Sequence, residues 1–263
     1  MKAGRYLKLI GIFAGASVAA KLEYRANFVV NILESVVRAV AGVLGLSILF
    51  GDGKGLGGWS RDEALVLVGI FTLIGGATGV GVFPNLRRIG ESVRTGSMDF
   101  TLLKPLDSQF LVSTREINIF QIPEMLIGIG FIAYGLIRLE AVNALNILLS
   151  LALLIAALAI VYSICFMLST IAFWFVRVEN TLELFWGFYQ ASQFPITVYP
   201  GWVRIMFTFF IPVAFITTVP AEALLGRVNL SSVGFAVGFA ILLLAVSRWF
   251  WRFGLRSYTS ASS

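Results

Sequence analysis

Apolar residues along this chain come in long unbroken runs, not in the alternating or 3.6-residue stripes of a half-buried element, and short polar clusters separate them. A run of about 20 apolar residues spans a bilayer as a helix. Six segments approach that length: Asn27 to Phe50, Glu63 to Phe83, Ile117 to Leu136, Leu145 to Val176, a stretch beginning near Thr181 that meets Pro195, and Val233 to Phe253. The Gly-rich turn from Gly51 to Gly55 separates the first two. The fourth exceeds what a bilayer requires and must tilt, break or project. Between Pro195 and Gly226 the chain is apolar but cut by Pro200, Pro212 and Pro220, which argues against a simple crossing. A re-entrant helical hairpin over 200–226 is the expectation, since non-helical backbone at membrane depth survives only where protein or a wet cavity satisfies it. The predicted fold is an all-α integral membrane domain over 1–263, with six transmembrane helices, an N-terminal interfacial helix over 1–25, a short cytoplasmic helix over 84–96, and the hairpin.

Composition narrows the function. Of 263 residues, 58% are hydrophobic and 13% charged, against roughly 25% charged in a soluble domain. With no His at all, serine–histidine and cysteine–histidine hydrolases and most zinc sites are excluded. The lone Cys165 lies in an apolar run and reads as an inert core thiol. No Walker-type phosphate loop occurs, so ATP hydrolysis has no recognisable seat in this chain. No cofactor, metal or catalytic residue is expected. The net charge of +6 is dispersed between spans, which favours anionic lipid headgroups over nucleic acid as the counter-charge.

Lys and Arg set the orientation. Placing the N-terminus inside leaves only Lys54, Arg61, Arg138, Arg204 and Arg227 outside and Arg38 within a span, with fourteen basic residues in the cytoplasm. Both termini are therefore expected there. The alternative for the N-terminus is a signal peptide, with Lys2, Arg5 and Lys8 before an apolar stretch and Ser17-Val18-Ala19 as a cleavage site. That choice would put the Arg87–Arg115 loop outside, against the charge bias.

Three groups of residues stand out. In the loop from Pro84 to Gly96, apolar Leu86, Ile89 and Val93 alternate with Arg87, Arg88, Glu91 and Arg94, and the flanking Pro and Gly delimit a short helix that docks a partner or is simply a solvated positive loop. In the first span, Glu34 and Arg38 are spaced to pair on one helical face, with Glu124 of the third span as a second partner for Arg38. They either line a route or make a structural pair. Gly75 and Gly79 form a small-residue face in the second span, read as ordinary packing or as a subunit interface. Tyr199, Trp202, Trp249 and Trp251 read as interfacial anchors. Glu179 and Glu183, at the start of span five, read as solvated.

The run Arg94-Thr-Gly96-Ser-Met-Asp99-Phe-Thr-Leu-Leu-Lys104-Pro105 resembles the cytoplasmic loop motif of type-two ATP-binding-cassette (ABC) exporter permeases. Pro195 to Trp202, Phe210 to Phe215, and Val219-Pro220-Ala-Glu222 through Gly226 are similar to the late extracellular segment of one subgroup, in which two different permeases accompany one ATPase. The resemblance implies a half-transporter in a bacterial plasma membrane. Its loop helix would sit on a dimer of separate ATPase subunits, with Arg87, Arg88, Glu91 and Arg94 at the coupling contact. The implied second permease is a different chain or, alternatively, a second copy. Export is implied by the resemblance alone, and substrate is not specified. A stand-alone secondary carrier or channel is the competing class. It would favour repeat symmetry and a relay of buried acids, of which only Glu34 and Glu124 are present.

Overall fold

The computed structural model describes residues 2–23, 25–50, 55, 57–175, 181–209 and 212–258. The turn residues 51–54, Arg177, Glu179, and Phe210 with Ile211 lie outside the described residues. In chain order the helices are α1 (Lys2–Leu22), α2 (Arg25–Leu49), α3 (Arg61–Gly81), α4 (Phe83–Arg94), α5 (Met98–Leu102), α6 (Ser108–Thr114), α7 (Ile122–Arg138), α8 (Ala144–Thr170), α9 (Thr181–Gln190), α10 (Gly201–Phe209), α11 (Val219–Leu224) and α12 (Leu230–Ser257). Among the described residues there is no strand. Five helices, α2, α3, α7, α8 and α12, are long and apolar enough to cross a bilayer.

Local chemistry sets most of the boundaries. Ser60 caps α3, its hydroxyl accepting from Glu63 N while the Glu63 carboxylate accepts from Ser60 N. Asp107, Asn143 and Asn229 cap α6, α8 and α12 in the same way. Pro84 stands in the first turn of α4 and Pro123 in that of α7, positions that tolerate a missing N–H. Gly96, at φ 72°, turns the chain after α4. The third apolar segment starts its helix at Ile122, not Ile117, because Asn118 caps a tight 3-10 turn over Ile119–Gln121.

The fifth apolar segment differs most from a simple span. Its helix has ten residues, about 15 Å at a helical rise, and continues as 3-10 turns Ala191–Gln193 and Ile196–Val198. It nevertheless follows α3 from end to end. Glu183 pairs with Arg87 just beyond α3, Tyr189 donates to Phe71 O at 2.6 Å midway, and Thr197 donates to Gly57 O at 2.7 Å before its start. Pro195 opens the last of these turns, and the Pro200 carbonyl accepts from Arg204 N at the start of α10.

Residues 212–221 are all buried. A π-helical turn over Ala214–Thr218 leads into α11, where the Pro220 carbonyl accepts from Ser150 Oγ of α8 at 3.0 Å and the Glu222 carbonyl from Arg227 N. Thr217 donates to Ser192 O, and Thr218 Oγ1 accepts from Ile196 N. The Pro212 carbonyl accepts from Phe215 N. Ser192 O and Ile196 N, on either side of Pro195, and the Pro220 carbonyl are thus met by side chains of the protein.

The core is built on α3, α8 and α12. Leu67, Ile70 and Ile74 of α3 and Leu153, Ile160 and Phe166 of α8 are fully buried. Trp251 is also fully buried, packed at a tilt against Phe166 and Phe173 with its indole N–H donating to Ser108 Oγ at 3.0 Å. That overturns its reading as an interfacial anchor. Packing on α8 decides its place, because helical rotation sends Trp249 outward and Trp251 inward. Tyr199 packs edge-on against Phe207 and donates to Ala191 O, while Trp202 and Trp249 are exposed.

Of the expected pair, Gly79 lies in the glycine seam, where a Cβ would stand 2.9 Å from Gln121 Cγ at the entry to α7, and Gly75 does not. A Cβ at Gly69 would stand 2.9 Å from Gly128 O, one at Gly76 2.9 Å from Met125 N, and one at Gly128 2.6 Å from Leu73 N. α3 and α7 therefore touch backbone to backbone through Gly69, Gly76 and Gly128. Gly75 is turned about 100° from Gly76 and faces Trp186, Tyr189 and Glu124 at ordinary contact distance.

Candidate functional site

One end of the molecule gathers α1, α4, α5 and α6. On α4, Asn85, Leu86 and Ile89 are buried, while Arg87, Arg88, Glu91 and Arg94 are exposed, so the four charged residues share the outward face. Next to them, Phe100 (72% exposed) and Leu103 (80% exposed) stand out beside exposed Lys104 and Pro105, while Met98 of the same short helix is completely buried. A charged helix face beside two protruding apolar side chains has the makeup of a protein-docking surface. The motif residues Gly96 and Asp99 shape the turn between them, the Asp99 carbonyl accepting from Leu103 N.

The inner side of α4 is pinned. Asn85 Nδ2 donates to Gly81 O and to Glu116 O, both at 2.7 Å, and Asn85 Oδ1 accepts from Glu116 N at 2.8 Å. Asn118 N donates to Val80 O at 2.8 Å. The Glu116 carboxylate bridges Arg88 of α4 at 2.7 Å and Lys21 of α1 at 3.1 Å, and Lys21 also donates to Asn118 Oδ1. Arg87 pairs with Glu183 of α9, so Glu183 is partnered and not merely solvated. α4 is thereby tied to α1, α9 and the entry to α7.

Glu116 and Asn85 carry no signal in the sequence. A lone Glu and a lone Asn in polar loops are ordinary, and only the fold brings them together. The same holds for Arg248 near the end of α12, whose guanidinium clasps the Asp107 carboxylate, Nη1 to Oδ1 at 2.8 Å, and reaches Gln109 Oε1 at 3.0 Å. Burial raises the Asp107 pKa, but the Arg248 hydrogen bond and the N–H groups of Phe110 and Gln109 outweigh it and hold the carboxyl below its ordinary value.

The second cluster is inside the spans. Arg38 Nη1 donates to Glu34 Oε1 at 3.0 Å and Nη2 to Glu124 Oε2 at 3.1 Å, bringing together all three residues singled out from the pattern. The partners are unequal: the Glu34 side chain is 57% exposed and that of Glu124 16%. Beside them lies a cavity of about 310 Å³ between α2, α3 and α9, lined by Thr72, Gln190 and Gln193 and by the stacked rings of Phe71, Tyr189 and Trp186. Amides, a hydroxyl, aromatic faces and charge in one apolar setting allow hydrogen bonding and stacking to a guest. Among the described residues no cluster of metal-ligating side chains occurs.

A family model described as ABC-2 family transporter protein matches residues 36–262. Neither the curated proteins nor the solved structures contain a match to the chain.

Proposed function

Because the chain belongs to the ABC-2 family of transporter proteins, we propose that it is one membrane-spanning half of an ATP-driven exporter, coupled through α4 to a separate ATPase. Family membership makes it a transport permease, itself without catalysis, and implies partnership with an ABC ATPase. The finer reading has α2, α3, α7, α8, the broken segment 181–199 and α12 as six crossings. The end carrying α4 and both termini faces the cytoplasm, and α1 lies along the inner leaflet. Residues 200–226 enter and leave the same side as a hairpin. The membrane is read as a bacterial plasma membrane and the second permease as a different chain.

The observation that carries the coupling role is the two-sided construction of α4. Its outer face presents Arg87, Arg88, Glu91 and Arg94, and its inner face is tied by Asn85 and Glu116 to the helices that would move. Closure of an ATPase dimer against the outer face would shift α4, and the hydrogen-bonded ties would carry that shift to α1, α7 and α9. Nucleotide must bind one global arrangement better than the other for this to do work.

Reversing charge at Arg87 and Arg94 tests the assignment. The double variant is expected to insert normally and to lose most of the co-purifying ATPase. Glu183→Gln serves as the control that breaks the Arg87 ion pair without altering the α4 face, and it is expected to retain the ATPase. Full retention of the ATPase by the double variant would remove α4 from the contact.

A further inference from the structure

A second and larger cavity opens between α2 and α7. It measures about 1030 Å³ and is walled by apolar side chains that include Val36, Val40 and Val43 of α2 and Ile127 and Phe131 of α7. On α2 the wall runs from Val36 to Leu46 and on α7 from Ile127 to Arg138, about 15 Å each at a helical rise. That is about half the hydrocarbon thickness of a bilayer, the depth of one leaflet. Arg61, Asp62 and Arg138 close one end of the groove, at the start of α3 and the end of α7.

The charges at that end do not balance. Arg61 donates to the Ser47 hydroxyl at 2.9 Å, and Arg138 Nε stands 4.0 Å from Asp62 Oδ2. The neighbouring Glu63 is engaged by Arg227 and by the cap of α3. Among the described residues that line the groove, two guanidiniums thus face one carboxylate, an excess of one positive charge at the mouth of an apolar slot one leaflet deep.

We propose that this groove binds one anionic phospholipid, an acyl chain lying between α2 and α7 and the phosphate on Arg61 and Arg138. Length, apolar lining and terminal charge together match an amphipath with a negative head. The site requires α2 and α7 to cross the bilayer, as read above, but not the ATPase contact. The deep end of the groove shares Ala39 and Phe131 with the polar cavity beside Arg38, so a bound lipid chain would end against the intramembrane charges.

The test uses the complex purified from its membrane and placed in nanodiscs of phosphatidylcholine doped with spin-labelled phosphatidylglycerol or spin-labelled phosphatidylcholine. One excess charge corresponds to about a fivefold preference for the anionic label in the immobilised signal. Arg138→Gln is expected to bring that ratio to about one. Gly130→Phe fills the groove from a position with nothing within 4 Å of an added Cβ, and it should reduce immobilisation of both labels while leaving the melting temperature close to that of the parent. Equal binding of the two labels by the parent protein would overturn the proposal, as would undiminished binding in folded Gly130→Phe. A photoreactive residue at position 130 that cross-links to protein instead of lipid would do the same, identifying a partner helix as the occupant. A chain that fails to insert immobilises neither label, whereas insertion without headgroup preference sinks this site alone.

Discussion

The two faces of α7 are joined to their neighbours by opposite means. Toward α3 the contact is backbone on backbone, with Gly69, Gly76 and Gly128 leaving no room for a single added carbon. Toward α2 it is an ion pair, Arg38 to Glu124, and the packing of Phe131 beside Leu46, flanked by cavities of about 1030 and 310 Å³. Close packing resists relative motion because interiors deform in steps, not smoothly. A contact through one charged pair at a cavity wall can be exchanged for another. α3 with α7, α8 and α12 therefore form the close-packed frame, and α2 is held against it by fewer contacts, the Arg38–Glu124 pair, the Arg61–Ser47 hydrogen bond and the cluster around Leu46. Another charge-held joint, Arg248 of α12 to Asp107 at the start of α6, lies at the end that carries α4.

The contrast is broken most severely at the seam. Gly128→Leu would drive a side chain into Leu73 N and Gly69 O and should cost roughly 3 kcal/mol or more, seen as loss of the folded monodisperse species in detergent. Gly130→Ala, two residues along but facing the groove, should change the melting temperature little or raise it, since replacing an unconstrained helical Gly by Ala is worth up to about 1 kcal/mol. Equal damage from the two would deny the seam its special status.

Next comes the charged joint. Arg38→Met leaves two carboxylates without their cation and should cost about 2 kcal/mol, below the range for a wholly buried pair because Arg38 and Glu34 are half-exposed. Adding Glu124→Gln should restore more of the loss than adding Glu34→Gln, because Glu124 is the more buried partner. Thermal melts of the single and double variants in one detergent decide it. Identical recovery from both would mean that burial does not rank the two.

The smallest effect is expected at Asp107. Its carboxyl is held below the ordinary value, near 3.9 for a free Asp. The stability it contributes is thus complete above that value and is lost as pH falls through the lower folded-state pKa. Asp107→Asn should therefore be less stable than the parent at pH 7, and the difference should shrink below about pH 4. No difference between the two at any pH would show that the cap hydrogen bond to Phe110 N, which Asn retains, and not the charge, is what Asp107 supplies.

Much of this was legible in the sequence, for reasons that differ by region. The long apolar runs marked α2, α3, α7, α8 and α12 because bilayer thickness imposes a length that few other structures need. Pro84 and Gly96 delimited α4, and the spacing of Glu34 and Arg38 announced their pairing. Patterns of this kind are local. Trp251 was misplaced because a Trp near the end of an apolar run looks the same whether it faces lipid or α8. Of Gly75 and Gly79 only Gly79 joins the seam, because several small-residue spacings coexist in α3 and only the position of α7 selects among them. Asn85, Glu116 and the Arg248–Asp107 joint connect residues 31 and 141 apart, and no periodicity carries such information.

Coupling through α4 requires that its outer face meet an ATPase. A photoreactive amino acid at the exposed Glu91, irradiated in native membranes, tests this most directly when compared with the same residue at Leu230, exposed at the opposite end. The prediction is an adduct at position 91 containing an ABC ATPase subunit and no such adduct at 230. Adducts with the ATPase at neither position, in a preparation where transport is ATP-driven, would contradict it.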